Sequence, residues 1–103
     1  MVSMEQVAET LGFSPNEVAY YRQLFDYDRI PENLMGGLKR YIEQKVLPGS
    51  FLTAVLENNL SEAVGRADIR SLYILPIIVC WLYNEAPGSC WGSPEKVKAW
   101  VAS

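Results

Sequence analysis

Two thiols, a pair of neighbouring carboxylates and a tryptophan beside a helix start are the residues with the most chemical potential. The thiols are Cys80 and Cys90. A cysteine nucleophile usually takes a histidine as its base, and the sequence contains no histidine. The commonest general acid–base and the commonest metal ligand are thereby missing as well. Two cysteines alone do not complete a four-ligand zinc set, and no glycine-rich phosphate loop follows a strand-like segment. Asp26 and Asp28 lie near a predicted helix end without apolar company, the pattern of a solvated acidic surface. The residues therefore predict a protein that is not an enzyme and that uses no metal and no cofactor.

All three tryptophans fall within the last 23 residues. Trp91 stands between Cys90 and Gly92, just ahead of a helix start at Ser93. Helix N-termini carry free N–H groups that favour anions, and an indole face stacks on flat rings. Trp91, Ser93 and Trp100 thus form a candidate pocket for a nucleotide-like ligand. The plainer reading is a hydrophobic plug that locks the loop onto the last helix. Arg66 and Arg70, four apart, read more simply as a solvated face than as an anion clamp.

A second constellation lies near the amino terminus. Tyr20, Tyr21, Phe25 and Tyr27 are packed into eight positions. At helical spacing, Val18, Tyr21 and Phe25 make one stripe, while Tyr20, Leu24 and Tyr27 make another. If one stripe packs inward, the other is surplus. Tyrosine is enriched at protein–protein contacts, so Tyr20, Leu24 and Tyr27, with their acidic neighbours Glu17 and Asp26, are the candidate protein-binding residues. The alternative is that a broad core covers both stripes.

The same segment resembles a helix-turn-helix. Between Met4 and Gln23, Ala8, Leu11, Gly12 and Val18 occupy the places where that motif carries a small residue, core apolars and a turn glycine. Asn16, Tyr20 and Arg22 would then face bases. Electrostatics speaks against it. Residues 1–30 hold Glu5, Glu9, Glu17, Asp26 and Asp28 against Arg22 and Arg29, whereas 31–60 and 61–103 are each neutral. The whole formal charge of −3 therefore sits on the hairpin that would approach phosphates. Phosphate neutralisation supplies most nonspecific DNA affinity, so nucleic acid is an unlikely partner.

Local signals place these groups on helices. Ser3-Met4-Glu5-Gln6 and Ser14-Pro15-Asn16-Glu17 both fit the capping box. They predict one helix from about Met4 to Leu11, ending at Gly12, and a second from about Pro15 to Tyr27. A third spans about Pro31 to Val46, either containing Gly36-Gly37 through a close backbone contact or starting after them. Pro48-Gly49 stops it, and a fourth begins at Ser50 and ends in a left-handed Asn58-Asn59. Ser61 is read as the cap of a short turn to Gly65, and Asp68 as the cap of a fifth long helix to about Asn84. Apolar residues surround its second half, so it should be central, and Pro76 should kink it. A buried strand over Ile74–Val79 is the second-ranked alternative. A loop, Glu85 to Gly92, leads to a last helix from Ser93-Pro94-Glu95.

At 103 residues, half of them apolar, the chain has the length and composition of one folded domain. The expected architecture is all-α: a compact single-domain bundle of five to six helices over residues 1–103. Residues 1–30 would form the acidic aromatic hairpin and 31–103 the main core. The first residues lack the basic region of a signal peptide. The longest apolar run, Leu72 to Tyr83, is too short for a membrane span. Two cysteines are too few for a secreted disulfide framework, so both are read as reduced thiols, Cys80 as a buried hydrophobe, with a Cys80–Cys90 bridge as the rarer alternative. The expected location is cytoplasmic.

Residues 48–60, PGSFLTAVLENNL, followed by Ala67-Asp68, and residues 84–100, NEAPGSCWGSPEKVKAW, resemble a family of small proteins of bacteriophages and prophages of proteobacteria. The resemblance covers about 31–103 and carries no functional residue with it. It implies an intracellular product of an infected bacterium, of a kind that binds and alters one host or defence protein. The leading expectation is thus a non-enzymatic phage-type accessory protein. A helix-turn-helix DNA-binding regulator comes second and a binder of a small nucleotide-like ligand third.

Overall fold

A computed structural model describes residues 6, 10–12 and 14–103. Among the described residues, six continuous helices follow one another: α1 (Pro15–Gln23), α2 (Glu32–Gln44), α3 (Ser50–Leu56), α4 (Leu60–Arg66), α5 (Ile69–Glu85) and α6 (Pro94–Ala102). A 3-10 turn, Tyr27–Arg29, joins α1 to α2. The described residues form no strand, so the all-α expectation stands and the strand alternative at Ile74–Val79 falls inside α5. The predicted helix from Met4 to Leu11 and its Ser3 cap lie mostly outside the described residues. Of that stretch Gln6, Thr10 and Leu11 are helical, and Gly12 turns the chain at φ +80°.

Side-chain caps fix most helix starts. Ser14 and Glu17 form the reciprocal capping box of α1. Asp68 accepts the Ser71 N–H at 2.7 Å and opens α5, and Ser93 accepts the Lys96 N–H at 3.1 Å and opens α6. The cap of α4 is Asn59, not Ser61: its side chain accepts the Glu62 N–H at 3.2 Å. Asn caps as well as Ser, and Asn58, left-handed at φ 60°, ends α3 where Asn59 can begin the next helix.

Two helices end earlier than their apolar pattern predicts. α1 stops at Gln23 rather than Tyr27, because Leu24, Phe25 and Asp26 donate to carbonyls three residues back and tighten the last turn. α2 stops at Gln44 rather than Val46, because Lys45 enters the left-handed region at φ 60°. Gly36 and Gly37 lie within α2. A Cβ on Gly37 would stand 3.2 Å from Leu52 Cδ1 and 3.7 Å from Pro48 Cβ, so this glycine lets α2 close directly onto α3.

The most enclosed helix is α3, where Phe51, Leu52, Ala54, Val55 and Leu56 are all buried. Leu38 and Tyr41 of α2, Ala63 of α4, Ile74, Ile77, Ile78 and Leu82 of α5, and Val97 of α6 complete the core with Ile30 and Cys90. α5 is therefore not buried all round, contrary to its sequence. Ser71, Ile74, Ile78 and Leu82 form one inward ladder at helical spacing, while Leu72, Tyr73, Pro76 and Tyr83 remain exposed. Pro76 leaves the Leu72 carbonyl without its helical donor. Both residues lie on the exposed side, where that carbonyl can turn to water.

The loop between α5 and α6 is tied down at four points. The Tyr41 hydroxyl donates to the Cys90 carbonyl at 2.6 Å, and the Gly92 N–H donates to the Leu56 carbonyl at 2.7 Å. The Cys90 N–H donates to Pro87 O at 3.1 Å, and Lys96 Nζ donates to Gly88 O at 3.1 Å. Cys90 is fully buried and Cys80 half-buried, the reverse of what their segments suggest. The loop's long-range bonds draw Cys90 inward, whereas Cys80 stands on the flank of α5. Both are free thiols, and no bridge joins them.

Candidate functional site

α1 buries none of its residues. The 3-10 turn that follows it packs on α5, and a groove of about 260 Å³ opens between α1 and α5, lined by Tyr20, Leu24, Leu72, Tyr73, Pro76 and Ile77, with Gln23 and Arg29 beside them. Tyr20 is 59% exposed, Leu72 47% and Tyr73 69%. Only Ile77 belongs to the buried core, so it forms the groove's floor and the others its walls. Contiguous apolar and tyrosine side chains around a concavity are the surface chemistry of protein recognition. Ile69, 88% exposed, stands three residues before Leu72 and extends the apolar strip toward the start of α5.

The five residues expected to make the protein-binding surface divide. Tyr20 and Leu24 line the groove. Tyr27 does not: its ring packs on the core, and its hydroxyl accepts from Asn84 Nδ2 at 3.1 Å. Glu17 is held in the α1 capping box, its Oε1 accepting the Ser14 N–H at 3.4 Å. Asp26 pairs with Arg29 at 3.4 Å. The α5 wall went unnoticed in the sequence because Leu72 and Tyr73 read as core. The available signal was an apolar circumference on one helix that exceeds what a small bundle covers.

The expected ligand pocket also divides. Trp91 stands with Tyr83 in a right-angled aromatic corner, ring centroids 4.8 Å apart and planes at 87°. They wall a hollow of about 370 Å³, completed by Asn58, Ala86, Gly88, Gly92 and Lys96. Trp100 is not part of it. Its Nε1 donates to the Tyr41 carbonyl at 3.0 Å, and its ring lies 5.2 Å below Lys45 Nζ. Two turns of α6 separate it from the loop, which turns it toward α2. Ser93 Oγ is taken up as the α6 cap. Lys96, Asn58 and Tyr83 take the places sequence reading gave to Trp100 and Ser93.

The remaining candidates are surface pairs. Arg66 ends α4 and bonds Glu62 at 3.2 Å, while Arg70 belongs to α5, so the two arginines do not share one helix face. Of the helix-turn-helix positions, Ala8 lies outside the described residues, Leu11 is 64% exposed and Val18 is half-buried. Leu11 therefore does not supply the buried contact that locks such a hairpin. Burial pushes both thiols above the ordinary cysteine range, which keeps them in the unreactive form at neutral pH. Among the described residues no group of three or more His, Cys, Asp or Glu could hold a metal ion. No described helix is long and apolar enough to cross a membrane. No family model, no curated protein and no solved structure matches the chain.

Proposed function

We propose that this chain is a non-enzymatic binding module, a phage-type accessory protein that docks on and modulates a host or defence protein in the cytoplasm. The observation that carries the reading is the groove between α1 and α5. Its walls are Tyr20, Leu24, Leu72, Tyr73 and Pro76, and they present apolar surface to solvent. Tyrosines on a rigid helix give large contact area at low entropic cost, which favours their use as anchors. The acidic excess of residues 1–30 disfavours a polyanionic partner for this segment. The phage setting is part of this proposal and rests on the resemblance of residues 48–60 and 84–100 to small phage and prophage proteins.

The test is affinity capture from bacterial lysate with wild-type bait beside Tyr73→Asp bait. Tyr73 is 69% exposed, so this variant should fold within about 0.5 kcal/mol of the wild type. A protein retained by the wild type and lost by Tyr73→Asp is the expected result. Equal retention of every captured protein by both baits, or retention of DNA alone, refutes the proposal.

A further inference from the structure

The hollow at the carboxy end of α5 is built differently from the groove, and we propose that it binds a mononucleotide. Its volume, about 370 Å³, lies within the range of small-molecule sites, roughly 300–1,000 Å³. Tyr83 and Trp91, at 87°, offer one ring face for stacking and a second ring to meet the edge of the stacked group. A flat base fits such a corner better than an aliphatic chain, which has no face to stack.

Two polar groups then read the rest of the ligand. Lys96 Nζ donates once, to Gly88 O at 3.1 Å, and an ammonium has three donors. That leaves donors directed at solvent beside the aromatic corner, where a phosphate would sit. Asn58 lines the same hollow and is exposed, and its carboxamide is engaged in no hydrogen bond among the described residues. A carboxamide carries both a donor and an acceptor, the pair that a nucleobase edge presents in complement.

The backbone fixes this arrangement before any ligand arrives. The Gly92 N–H bonds the Leu56 carbonyl at 2.7 Å, and Tyr41 holds Cys90 at 2.6 Å, so the residues on either side of Trp91 are anchored to α3 and α2. One lysine offsets part of the charge of one phosphate, about −1.5 to −2 at neutral pH. The chain's formal charge of −3 works against further phosphates, so a free mononucleotide is favoured over an oligonucleotide.

Titration of 15N-labelled protein with AMP, adenosine, inorganic phosphate and a tetranucleotide tests this directly. Three tryptophan indole resonances are available, and that of Trp100 reports a side chain already bonded to Tyr41 O. AMP should move the Trp91 indole resonance with a Kd near or below about 1 mM, leaving Trp81 and Trp100 in place. Adenosine should bind at least about fivefold more weakly, and the tetranucleotide no more tightly than AMP. Lys96→Gln should erase the difference between AMP and adenosine. Asn58→Gly keeps the left-handed backbone that φ 60° requires, so the fold is preserved while the carboxamide is lost. It should weaken AMP about three- to tenfold. No shift of the Trp91 resonance at about 10 mM AMP, or equal binding of AMP by wild type and Asn58→Gly, overturns the proposal. A tetranucleotide that binds more tightly than AMP overturns its restriction to free nucleotides.

Discussion

Replacing Tyr41 by Phe removes one oxygen from a fully buried position of α2. That hydroxyl is fully buried and donates to the Cys90 carbonyl at 2.6 Å. Without it, a buried carbonyl on the α5–α6 loop loses its donor, at a cost of about 1–3 kcal/mol at neutral pH. The same side chain makes stability depend on alkaline pH. Burial, with smaller contributions from the neighbouring Cys90 and Glu57, pushes the Tyr41 phenol up to about 12 from the ordinary 10.0. The folded state therefore holds this proton more tightly than the unfolded chain. Its stabilising contribution is complete below about pH 10 and is lost as pH rises toward about 12. At about 1.4 kcal/mol per pH unit, the loss amounts to about 2–3 kcal/mol. Urea unfolding followed by tryptophan fluorescence, in steps from pH 8 to 11.5, measures it. The wild type should begin above Tyr41→Phe by about 1–3 kcal/mol and converge on it as pH rises. The two proteins differ only at residue 41, so the difference between the curves reports its hydroxyl together with the neighbouring Cys90 thiol. Parallel curves across that range, or equal stability at pH 8, refute the assignment of Tyr41 as the buried tie between α2 and the loop.

Other consequences concern the helix junctions and the thiols. Gly36→Ala should stabilise the fold by about 0.5–1 kcal/mol in thermal or urea unfolding, because the added methyl meets only the flexible Arg40 guanidinium while helix propensity improves. Gly37→Val should instead destabilise it by about 1–3 kcal/mol, since its side chain would enter the 3.2 Å space before Leu52. The Ser71 N–H bonds hold the Asp68 carboxyl below its usual range, so the charged cap stabilises above about pH 4 and is lost as pH falls through the lowered value. Asp68→Asn should flatten that part of an acid-unfolding profile measured by circular dichroism. A thiol reagent at pH 8 should modify half-buried Cys80 before fully buried Cys90, and the slower phase should follow global unfolding in its urea dependence.

Helix starts were legible because cap chemistry is local. Ser14, Asp68 and Ser93 each satisfy an N–H three residues ahead, and no distant group is needed to do it. The left-handed Asn58 was legible for the same reason. What failed depended on distant partners. Cys90 is a loop residue as read, but its burial was not legible, because it depends on Tyr41, 49 positions away, which bonds its carbonyl, and on Leu56, which bonds the neighbouring Gly92 N–H. Trp100 looked like a neighbour of Trp91 in sequence, but its indole is committed to the Tyr41 carbonyl, 59 positions away. Of the residues expected to bind protein, Tyr20 and Leu24 line the groove, whereas Tyr27 packs on the core and its hydroxyl accepts from Asn84.

The instructive error lies in α5. Its run from Leu72 to Tyr83 is apolar around the whole helix, which predicts burial on every side. A bundle this small has too few helices to cover a 17-residue helix on every side. Here the most enclosed position goes to the seven-residue α3, which shares the core with residues of α2, α4, α5 and α6. The outer half of α5 therefore carries apolar side chains beyond what the fold uses: Ile69, Leu72, Tyr73 and Pro76 at one end, and Tyr83 at the other. Surplus of this kind lowers solubility and adds nothing to the core, so it is expected where another molecule covers it. Both proposed sites sit on this outer half. The end beside α1 has a tyrosine-walled groove with Ile77 as its floor, suited to a protein surface. The end beside the loop has an aromatic corner with one lysine and one carboxamide, suited to a small ring with a single phosphate. The apolar circumference that predicted burial of α5 on every side is therefore the same feature on which both proposed binding faces rest: surface left uncovered by its own chain.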